Sequence, residues 1–410
     1  MALLLEKPEE VGMSGVQLAQ VERHLRERYI EPGRIAGALT LVARRGRLVH
    51  RSVLGMMDLE REKPMREDTI FRIYSMTKPI VSVALMRLYE QGHFQLEDPV
   101  DKIIPEWRGL RVYAAGNHPH FLTERPARRM TIRDLLRHTS GLTYSFMERT
   151  NVDAAYRKLG IGPPEGHDTT LREMVEALAQ LPLEFSPGSA WNYSVSTDVV
   201  GYLVEAISGQ PLDAYLHDHI FEPLGMEDTG FFVPPEKIER FAANYARRRD
   251  KTLKLEDDPA NSPYQQRPRF LSGGGGLVST ASDYLRFCQM LLSGGQLDGA
   301  RVLGRKTIEL MTRNHLPGGQ DLQQASVGLF GETPFAGTGF GLGFSVILDP
   351  VASGIVGSPG EFAWGGAAST VFWIDPSEEL IVIFLTQLMP SRTFDFRGQL
   401  KAIVYSALVD

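Results

Sequence analysis

Apolar and polar residues recur with two different periods along the first quarter of the chain. Over residues 14–29 the apolar positions return at helical spacing, and charged side chains occupy the remaining positions. The segments 35–42 and 48–54 are apolar, partly β-branched, and flank an Arg-Arg-Gly turn, which predicts a β-hairpin. Helical spacing returns over residues 77–91. This part of the chain is therefore predicted to form a helix, a hairpin and a second helix.

Strand patterns return in the last quarter of the chain. Residues 341–348, 369–374 and 380–386 are predicted strands, and a closing helix is predicted at 397–409. The middle of the chain instead shows short helical patterns separated by Pro and Gly. Strands near both ends with helices between them imply an α/β fold, in which both ends complete one sheet.

The same pattern predicts two domains. Residues 1–107 and 270–410 are expected to form the α/β domain, and residues 108–269 a mainly helical domain. The active site is expected in the cleft between them.

Composition narrows the functional classes. The chain has 410 residues, 44 basic against 50 acidic side chains and a formal net charge of -6, which gives no basic face for nucleic acid. Cys288 is the only cysteine, so an intrachain disulfide and a cysteine-based zinc cage are excluded. No run approaches about 18 consecutive apolar residues, and the first ten residues lack a signal-peptide core. We therefore expect a cytoplasmic enzyme for a small molecule, without nucleic-acid or membrane partners.

Motifs for metals and cofactors are weak. His118 and His120, like His217 and His219, form His-x-His pairs, which lack the His-Glu-x-x-His spacing of a zinc protease. The glycine run 273–276 lacks the lysine of a phosphate-binding loop. We expect neither a metal nor a cofactor.

Ser75 and Lys78 form the sharpest local signal. They lie three residues apart at the start of a predicted helix, so their side chains share one face. A serine hydroxyl attacks readily only when a neighbour takes its proton, and a partly desolvated lysine can assist that transfer. The helix N-terminus adds a backbone N–H that suits a developing oxyanion. Ser-x-x-Lys also occurs by chance in a chain of this length, so further signals are needed.

Two further segments supply such signals. Tyr193 follows a Pro-Gly turn and precedes a predicted helix, so its phenol can be held rigidly and can take the serine proton beside a cationic lysine. Gly365 and Gly366 follow Trp364 and are predicted to open a strand, where free N–H groups would supply a second oxyanion donor. Taken singly, each segment also fits simple packing, as a core tyrosine or a β-bulge.

The ordered set of three motifs resembles the serine β-lactamase and D-Ala-D-Ala peptidase superfamily. The nearer pattern is that of class C enzymes, with Ser-x-x-Lys, Tyr-x-Asn and Lys-Thr-Gly. Val195 stands here in place of the Asn, and Trp364 in place of the lysine. These are the variants of family VIII carboxylesterases, which this chain is similar to. Loss of a cation and an amide weakens recognition of anionic amide substrates, and tryptophan offers apolar contact to a neutral ester.

The resemblance implies a serine β-lactamase-like fold, with an antiparallel sheet flanked by N- and C-terminal helices and an inserted, mainly helical domain. It implies that Ser75 is the nucleophile and that Lys78 and Tyr193 share the proton transfer, without deciding which of them takes the proton. It also implies an oxyanion hole made by the backbone N–H groups of Ser75 and Ala367. Candidate substrate contacts are glycines and aromatic residues near the motifs: Tyr74, Tyr144, Phe146, Trp191, Trp364, Gly365 and Gly366.

The expected function is that of a serine carboxylesterase. It would hydrolyse short-chain neutral esters through an acyl-enzyme on Ser75, with weak β-lactam hydrolysis as a side activity. One alternative on the same fold is a β-lactamase or D-Ala-D-Ala carboxypeptidase. A second alternative is a non-catalytic binding protein, because a fold alone does not determine function.

Overall fold

The computed structural model describes residues 4–162, 168–328 and 333–410. None of the helices in these ranges has the length and apolar character needed to cross a membrane. The cytoplasmic location stays a prediction. The α-helices are α1 Gly15–Leu25, α2 Thr77–Glu90, α3 Ile132–Leu136, α4 Asn151–Leu159, α5 Leu171–Leu178, α6 Ser196–Ser208, α7 Leu212–Leu216, α8 Glu222–Leu224, α9 Ala281–Leu292, α10 Arg305–Met311, α11 Leu322–Ala325, α12 Pro350–Ser353 and α13 Phe396–Tyr405.

Strands and short helical turns complete the described chain. The strands are β1 Gly37–Arg44, β2 Arg47–Asp58, β3 Lys63–Pro64, β4 Phe71–Arg72, β5 Val112–Asn117, β6 His120–Glu124, β7 Asn244–Arg247, β8 Leu253–Asp257, β9 Val278–Ser279, β10 Gln296–Leu297, β11 Ala300–Arg301, β12 Thr338–Phe340, β13 Ser345–Ile347, β14 Phe362–Gly365, β15 Val371–Asp375, β16 Leu380–Thr386 and β17 Leu388–Met389. The 3-10 or π-helical turns are Pro8–Val11, Arg26–Ile30, Tyr74–Met76, Val100–Lys102, Pro105–Gly109, Ser145–Met147, His217–Phe221, Pro235–Arg240, Pro259–Asn261, Pro263–Gln265 and Pro317–Gly319.

An eight-stranded sheet forms the centre of the molecule, in the order β12-β13-β14-β15-β16-β1-β2-β3. Its strand pairs are antiparallel, and β1 pairs with β16, so the two ends of the chain complete one sheet. Every residue of β1 and β16 is buried. Because successive side chains point to opposite faces, these central strands must be covered on both sides.

Helices cover the two faces of the sheet. On one face, Leu18 and Val21 of α1 and Leu400 of α13 pack with Ala38 and Val42 of β1. The side chains of α2 and α9 belong to the other core, together with the alternate residues of β1. The predicted α/β architecture, an antiparallel sheet flanked by N- and C-terminal helices, is confirmed.

Two differences between predicted and observed elements concern the strands of the hairpins. The strand predicted over 341–348 is confirmed only at Ser345–Ile347, as β13, because β12 and β13 pair with each other across a reversal at residues 341–344. Gly343 has a φ of 96°, a conformation that favours glycine and permits this reversal. The hairpin of β5 and β6 was not predicted, because its exposed strands carry charged and small residues instead of clear alternation.

The segment between residues 108 and 269 contains helices α3 to α8 together with strands β5 to β8. Strand β7 pairs in parallel with β17, which follows the last strand of the large sheet. The proposed division into domains at residues 107/108 and 269/270 stays a prediction.

A buried ion pair ties the C-terminal helix to the sheet. Lys401 of α13 contacts Glu361, which directly precedes β14, and both side chains are at most 3% exposed. The Tyr405 hydroxyl lies 2.8 Å from Glu361 Oε2 and 2.7 Å from Asp375 Oδ2. Burial raises the pKa of Glu361 and lowers that of Lys401, while each charge favours ionisation of the other. The pair therefore anchors the start of β14.

Replacement of one member of this pair should destabilise the fold. Lys401→Met is expected to lower the free energy of unfolding by about 3–5 kcal/mol, because it leaves a buried carboxylate without its cation. Lys254→Met removes the cation of the exposed Lys254–Glu256 pair and should cost less than about 1 kcal/mol. Chemical denaturation measures both values, and equal losses for the two variants would contradict the assigned role of the buried pair.

Candidate active site

The turn that carries Ser75 lies between strand β4 and helix α2. Arg72 of β4 is completely buried, and its Nε donates to Asp257 Oδ2 at 2.6 Å. Tyr74 has a φ of 42°, the left-handed region that non-glycine residues rarely adopt. Asn244 Nδ2 donates to the Tyr74 hydroxyl at 3.0 Å and helps to hold this conformation. As a result, the partly buried Ser75 stands at the N-terminus of α2.

Ser75, Lys78 and Tyr193 lie together. Lys78 Nζ donates to Ser75 Oγ at 3.2 Å, and the Tyr193 hydroxyl donates to the same oxygen at 2.6 Å. Lys78 Nζ also donates to the Gly274 carbonyl oxygen at 2.6 Å and lies 4.4 Å from the centre of the Tyr193 ring. The serine hydroxyl is therefore in direct contact with two groups that can exchange protons with it.

A buried carboxylate, that of Asp198, lies close to these three residues and was not predicted from the sequence. Asp198 is 0% exposed and lies on α6, which begins three residues after Tyr193. Its Oδ1 accepts hydrogen bonds from the Ser272 hydroxyl at 2.6 Å and from Gly274 N at 2.9 Å. Burial raises the pKa of Asp198, and the charge of Lys78 opposes this increase. Its only sequence signal was an acidic residue in the first turn of a predicted helix, which is common at helix starts.

Gly274 connects this carboxylate with Lys78. Its N–H bonds to Asp198 and its carbonyl oxygen accepts from Lys78. A Cβ at this position would lie 2.7 Å from Asp198 Oδ2 and 2.8 Å from the Tyr144 hydroxyl. Only glycine fits, and the glycine run therefore supplies a close backbone contact to the lysine.

Aromatic rings surround Tyr193. Its ring centre lies 5.3 Å from that of Tyr144, 5.6 Å from Trp364 and 6.2 Å from Trp191. These three side chains are almost completely buried, whereas Phe146 is 40% exposed and stacks on Tyr144. Their role as substrate contacts, like that of the partly buried Tyr74, stays a prediction.

The predicted position of the glycine pair needs a correction. Gly365 is the last residue of β14 and Gly366 follows it, so the pair ends the strand instead of opening it. A Cβ on Gly366 would lie 2.5 Å from the carbonyl oxygen of Ile73, two residues before Ser75. Glycine thus allows the end of β14 to contact the nucleophile turn. Ala367 comes next, and its N–H donates to no backbone acceptor that the described residues provide.

One exposed group in the described ranges could offer ligands to a metal. Atoms of His217, Asp218 and Glu222 lie within 4.8 Å of one another. All three side chains are exposed to solvent, as ordinary surface charges are.

Comparison with known proteins places this geometry in a family. Residues 18–405 match the family model described as Beta-lactamase. The chain belongs to the beta-lactamase family. It is 38% identical to Protein Rv1367c of Mycobacterium tuberculosis over 368 residues, 89% of each chain. It is 35% identical to esterase EstB of Burkholderia gladioli over 383 residues, which cover 90% of this chain and 88% of EstB.

A solved structure extends the comparison to the fold. "EstCE1, a hydrolase with promiscuous acyltransferase activity" superimposes with a TM-score of 0.80 and 29% identity. The match covers 95% of this chain and 99% of EstCE1. The predicted resemblance to family VIII carboxylesterases, the β-lactamase-like fold and the enzyme class, a serine hydrolase of esterase type, are confirmed. The roles of individual site residues stay predictions.

The buried carboxylate provides a direct test of the site. Asp198→Asn keeps the shape of the side chain but removes the charge beside Lys78. We expect the turnover of p-nitrophenyl butyrate to fall at least about tenfold, since a hydrogen bond or ion pair to a charged group contributes about 1.5–3 kcal/mol.

Asp283→Asn serves as the matched control. Asp283 is also a buried carboxylate, but it lies in the first turn of α9 and accepts from Asp228 N and the Thr229 hydroxyl. Its replacement should leave turnover within about twofold while lowering thermal stability. Equal turnover by both variants would contradict a specific role for Asp198.

Proposed function

We propose that this chain hydrolyses short-chain neutral carboxylic esters through an acyl-enzyme on Ser75, with weak β-lactam hydrolysis as a side activity. The contact of Ser75 Oγ with both the Tyr193 hydroxyl, at 2.6 Å, and Lys78 Nζ, at 3.2 Å, is the observation that carries the proposal. A hydroxyl held between two proton-exchanging groups is activated for attack on an acyl carbon. The proposed partner is therefore a small ester molecule.

The first half of the proposed reaction is acylation. In this step the Lys78–Tyr193 pair carries one proton fewer than an ammonium beside a phenol. Ser75 Oγ attacks the ester carbonyl carbon, and its proton passes to the basic atom of that pair. The carbonyl oxygen becomes negative and accepts hydrogen bonds from the N–H groups of Ser75 and Ala367. When the bond from carbon to the alkoxide oxygen breaks, the pair returns the proton and the alcohol leaves.

The second half is deacylation. A water molecule attacks the carbonyl carbon of the acyl-serine, and the same pair takes a proton from it. The oxyanion forms again at the same N–H groups. Collapse of this intermediate breaks the bond from carbon to Ser75 Oγ, the pair protonates the serine oxygen, and the carboxylic acid departs.

The residue at position 364 supports a neutral substrate. Trp364 is 0% exposed and packs against Tyr193 and against Phe340, whose ring centre is 5.3 Å away. Substrate carboxylates are recognised through charge-assisted hydrogen bonds from a cation, which a tryptophan does not provide. In a site without this cation, an anionic substrate would lose hydration without forming an ion pair in return. A neutral ester avoids this cost.

Acyl transfer to an alcohol is the second candidate activity. The description of EstCE1 as a hydrolase with promiscuous acyltransferase activity favours it. Chemically, an alcohol takes the place of water in the deacylation step, and the product is a new ester. The aromatic side chains around Tyr193 suit an apolar alcohol better than they suit water.

Parallel turnover of two substrates tests the proposed function. The intact protein should hydrolyse p-nitrophenyl butyrate efficiently and a chromogenic cephalosporin slowly. Ser75→Ala should lose at least about 10³-fold of the ester turnover, because no other hydroxyl would form the acyl-enzyme.

Ser82→Ala provides the control, because Ser82 is a buried serine on the same helix α2. This variant should keep its turnover within about twofold. Cephalosporin turnover far above ester turnover would identify a β-lactamase instead. Ester turnover that survives in Ser75→Ala would refute the mechanism, and a wild-type chain inactive on both substrates would favour a binding protein.

A further inference from the structure

His138 is a buried histidine beside Tyr193 that the proposed reaction does not use. It is 1% exposed, and its ring centre lies 5.1 Å from that of Tyr193. Its φ of 57° is left-handed, a strained conformation for a non-glycine residue. Strain of this kind persists only where surrounding contacts enforce it. The contacts of His138 are therefore informative.

Those contacts lie on both sides of Tyr193 in the sequence. The backbone oxygen of His138 accepts from Asn192 N at 2.9 Å. Its Nδ1 lies 3.2 Å from the Ser194 hydroxyl, and its Nε2 lies 3.5 Å from the Thr197 hydroxyl. His138 thus contacts the residue before Tyr193, the residue after it, and Thr197 in the first turn of α6.

A row of hydroxyl groups determines the protonation of the ring. Ser140 Oγ lies 2.7 Å from Ser196 Oγ, which lies 2.8 Å from Ser194 Oγ, and Ser194 Oγ contacts Nδ1 of His138. Ser140 accepts from Leu142 N, and its own hydrogen finds an acceptor among the described residues when it donates to Ser196 along the row towards the ring. The reverse direction would leave the Ser140 hydrogen without an acceptor that the described residues provide. Nδ1 therefore accepts and Nε2 carries the proton.

The ring is also uncharged. Burial and the positive charge of Lys78 lower the pKa of His138 well below its usual value. The titratable groups that face it are Lys78 on α2 and Tyr193 on the turn before α6. A neutral ring can pack against the tyrosine without placing a second cation beside the lysine.

We propose that His138 is a positioning residue for Tyr193: its neutral ring, bound to Ser194 and Thr197, fixes the phenol at hydrogen-bond distance from Ser75. This inference rests on the proposed function, because it assigns the effect to the proton transfer between Ser75 and Tyr193. The two hydrogen bonds and the strained backbone hold the turn from Asn192 to Ser194 in one orientation. A small displacement of the phenol lengthens the 2.6 Å contact on which the proton transfer depends.

Turnover of graded variants tests the proposal. His138→Leu should lower kcat for p-nitrophenyl butyrate about ten- to hundredfold with KM changed less than about threefold, since a misplaced group impairs the chemical step. His138→Asn should recover part of this loss, because Asn tolerates the left-handed conformation and its oxygen can accept from Ser194. Ser194→Ala removes the same contact from the other side and should also lower kcat. Ser82→Ala is the matched buried-serine control.

A double-mutant cycle with Tyr193→Phe separates positioning from simple stability. If His138 acts through the phenol, Ser194→Ala and His138→Asn should cause no further loss of kcat in the Tyr193→Phe background. Undiminished losses in that background, or single variants with kcat within about twofold of wild type, would overturn the proposal. The cycle is interpreted only if the wild type is active and Ser75→Ala is inactive. Failure of the proposed function would appear in those two proteins, and failure of the His138 proposal would appear in the cycle.

Discussion

The buried ammonium group of Lys78 is the constraint on which the site depends. A charge removed from water must be compensated by close partners, and burial without them is strongly unfavourable. Here the Gly274 carbonyl, the Ser75 hydroxyl and the charge of Asp198 surround it. The same lysine lies over the Tyr193 ring. The contacts that compensate this one charge therefore bring together helices α2 and α6 and the glycine run 273–276.

Backbone strain occurs at three positions around this point. Tyr74, His138 and Ser369 have φ values of 42°, 57° and 64°, in the left-handed region. Each lies beside one part of the site: the nucleophile turn, the Tyr193 turn and the segment after β14. Each is also held by a side-chain hydrogen bond, such as that from the Ser369 hydroxyl to the Leu388 carbonyl oxygen at 2.7 Å. The central sheet and its two buried faces supply the rigidity that maintains these conformations.

The sequence was sufficient to predict the sheet, its flanking helices and the trio of Ser75, Lys78 and Tyr193. The sheet and its helices follow from local periodicity, which is visible in one chain, whereas the trio followed from the resemblance of three ordered motifs to a known superfamily. Asp198 and the contacts of His138 were not predictable in this way. Asp198 lies beside Lys78, which is more than a hundred residues earlier in the chain, and His138 contacts a serine that lies 56 residues later. Single-sequence patterns do not report such contacts. Gly365 and Gly366 were identified from the sequence as a glycine pair beside a strand. Their position at the end of β14 depends on the pairing of that strand with β13 and β15, which the sequence does not show.

The central claim is that Ser75 forms the covalent bond to substrate. The most direct measurement is mass spectrometry of the protein after reaction with a p-nitrophenyl alkylphosphonate, in which the serine oxygen displaces p-nitrophenolate from phosphorus. The account predicts one adduct per chain, located on the peptide that contains Ser75, and loss of ester turnover in proportion to the modified fraction. Complete inactivation with the adduct on another residue, or full turnover by a chain fully modified at Ser75, would contradict it.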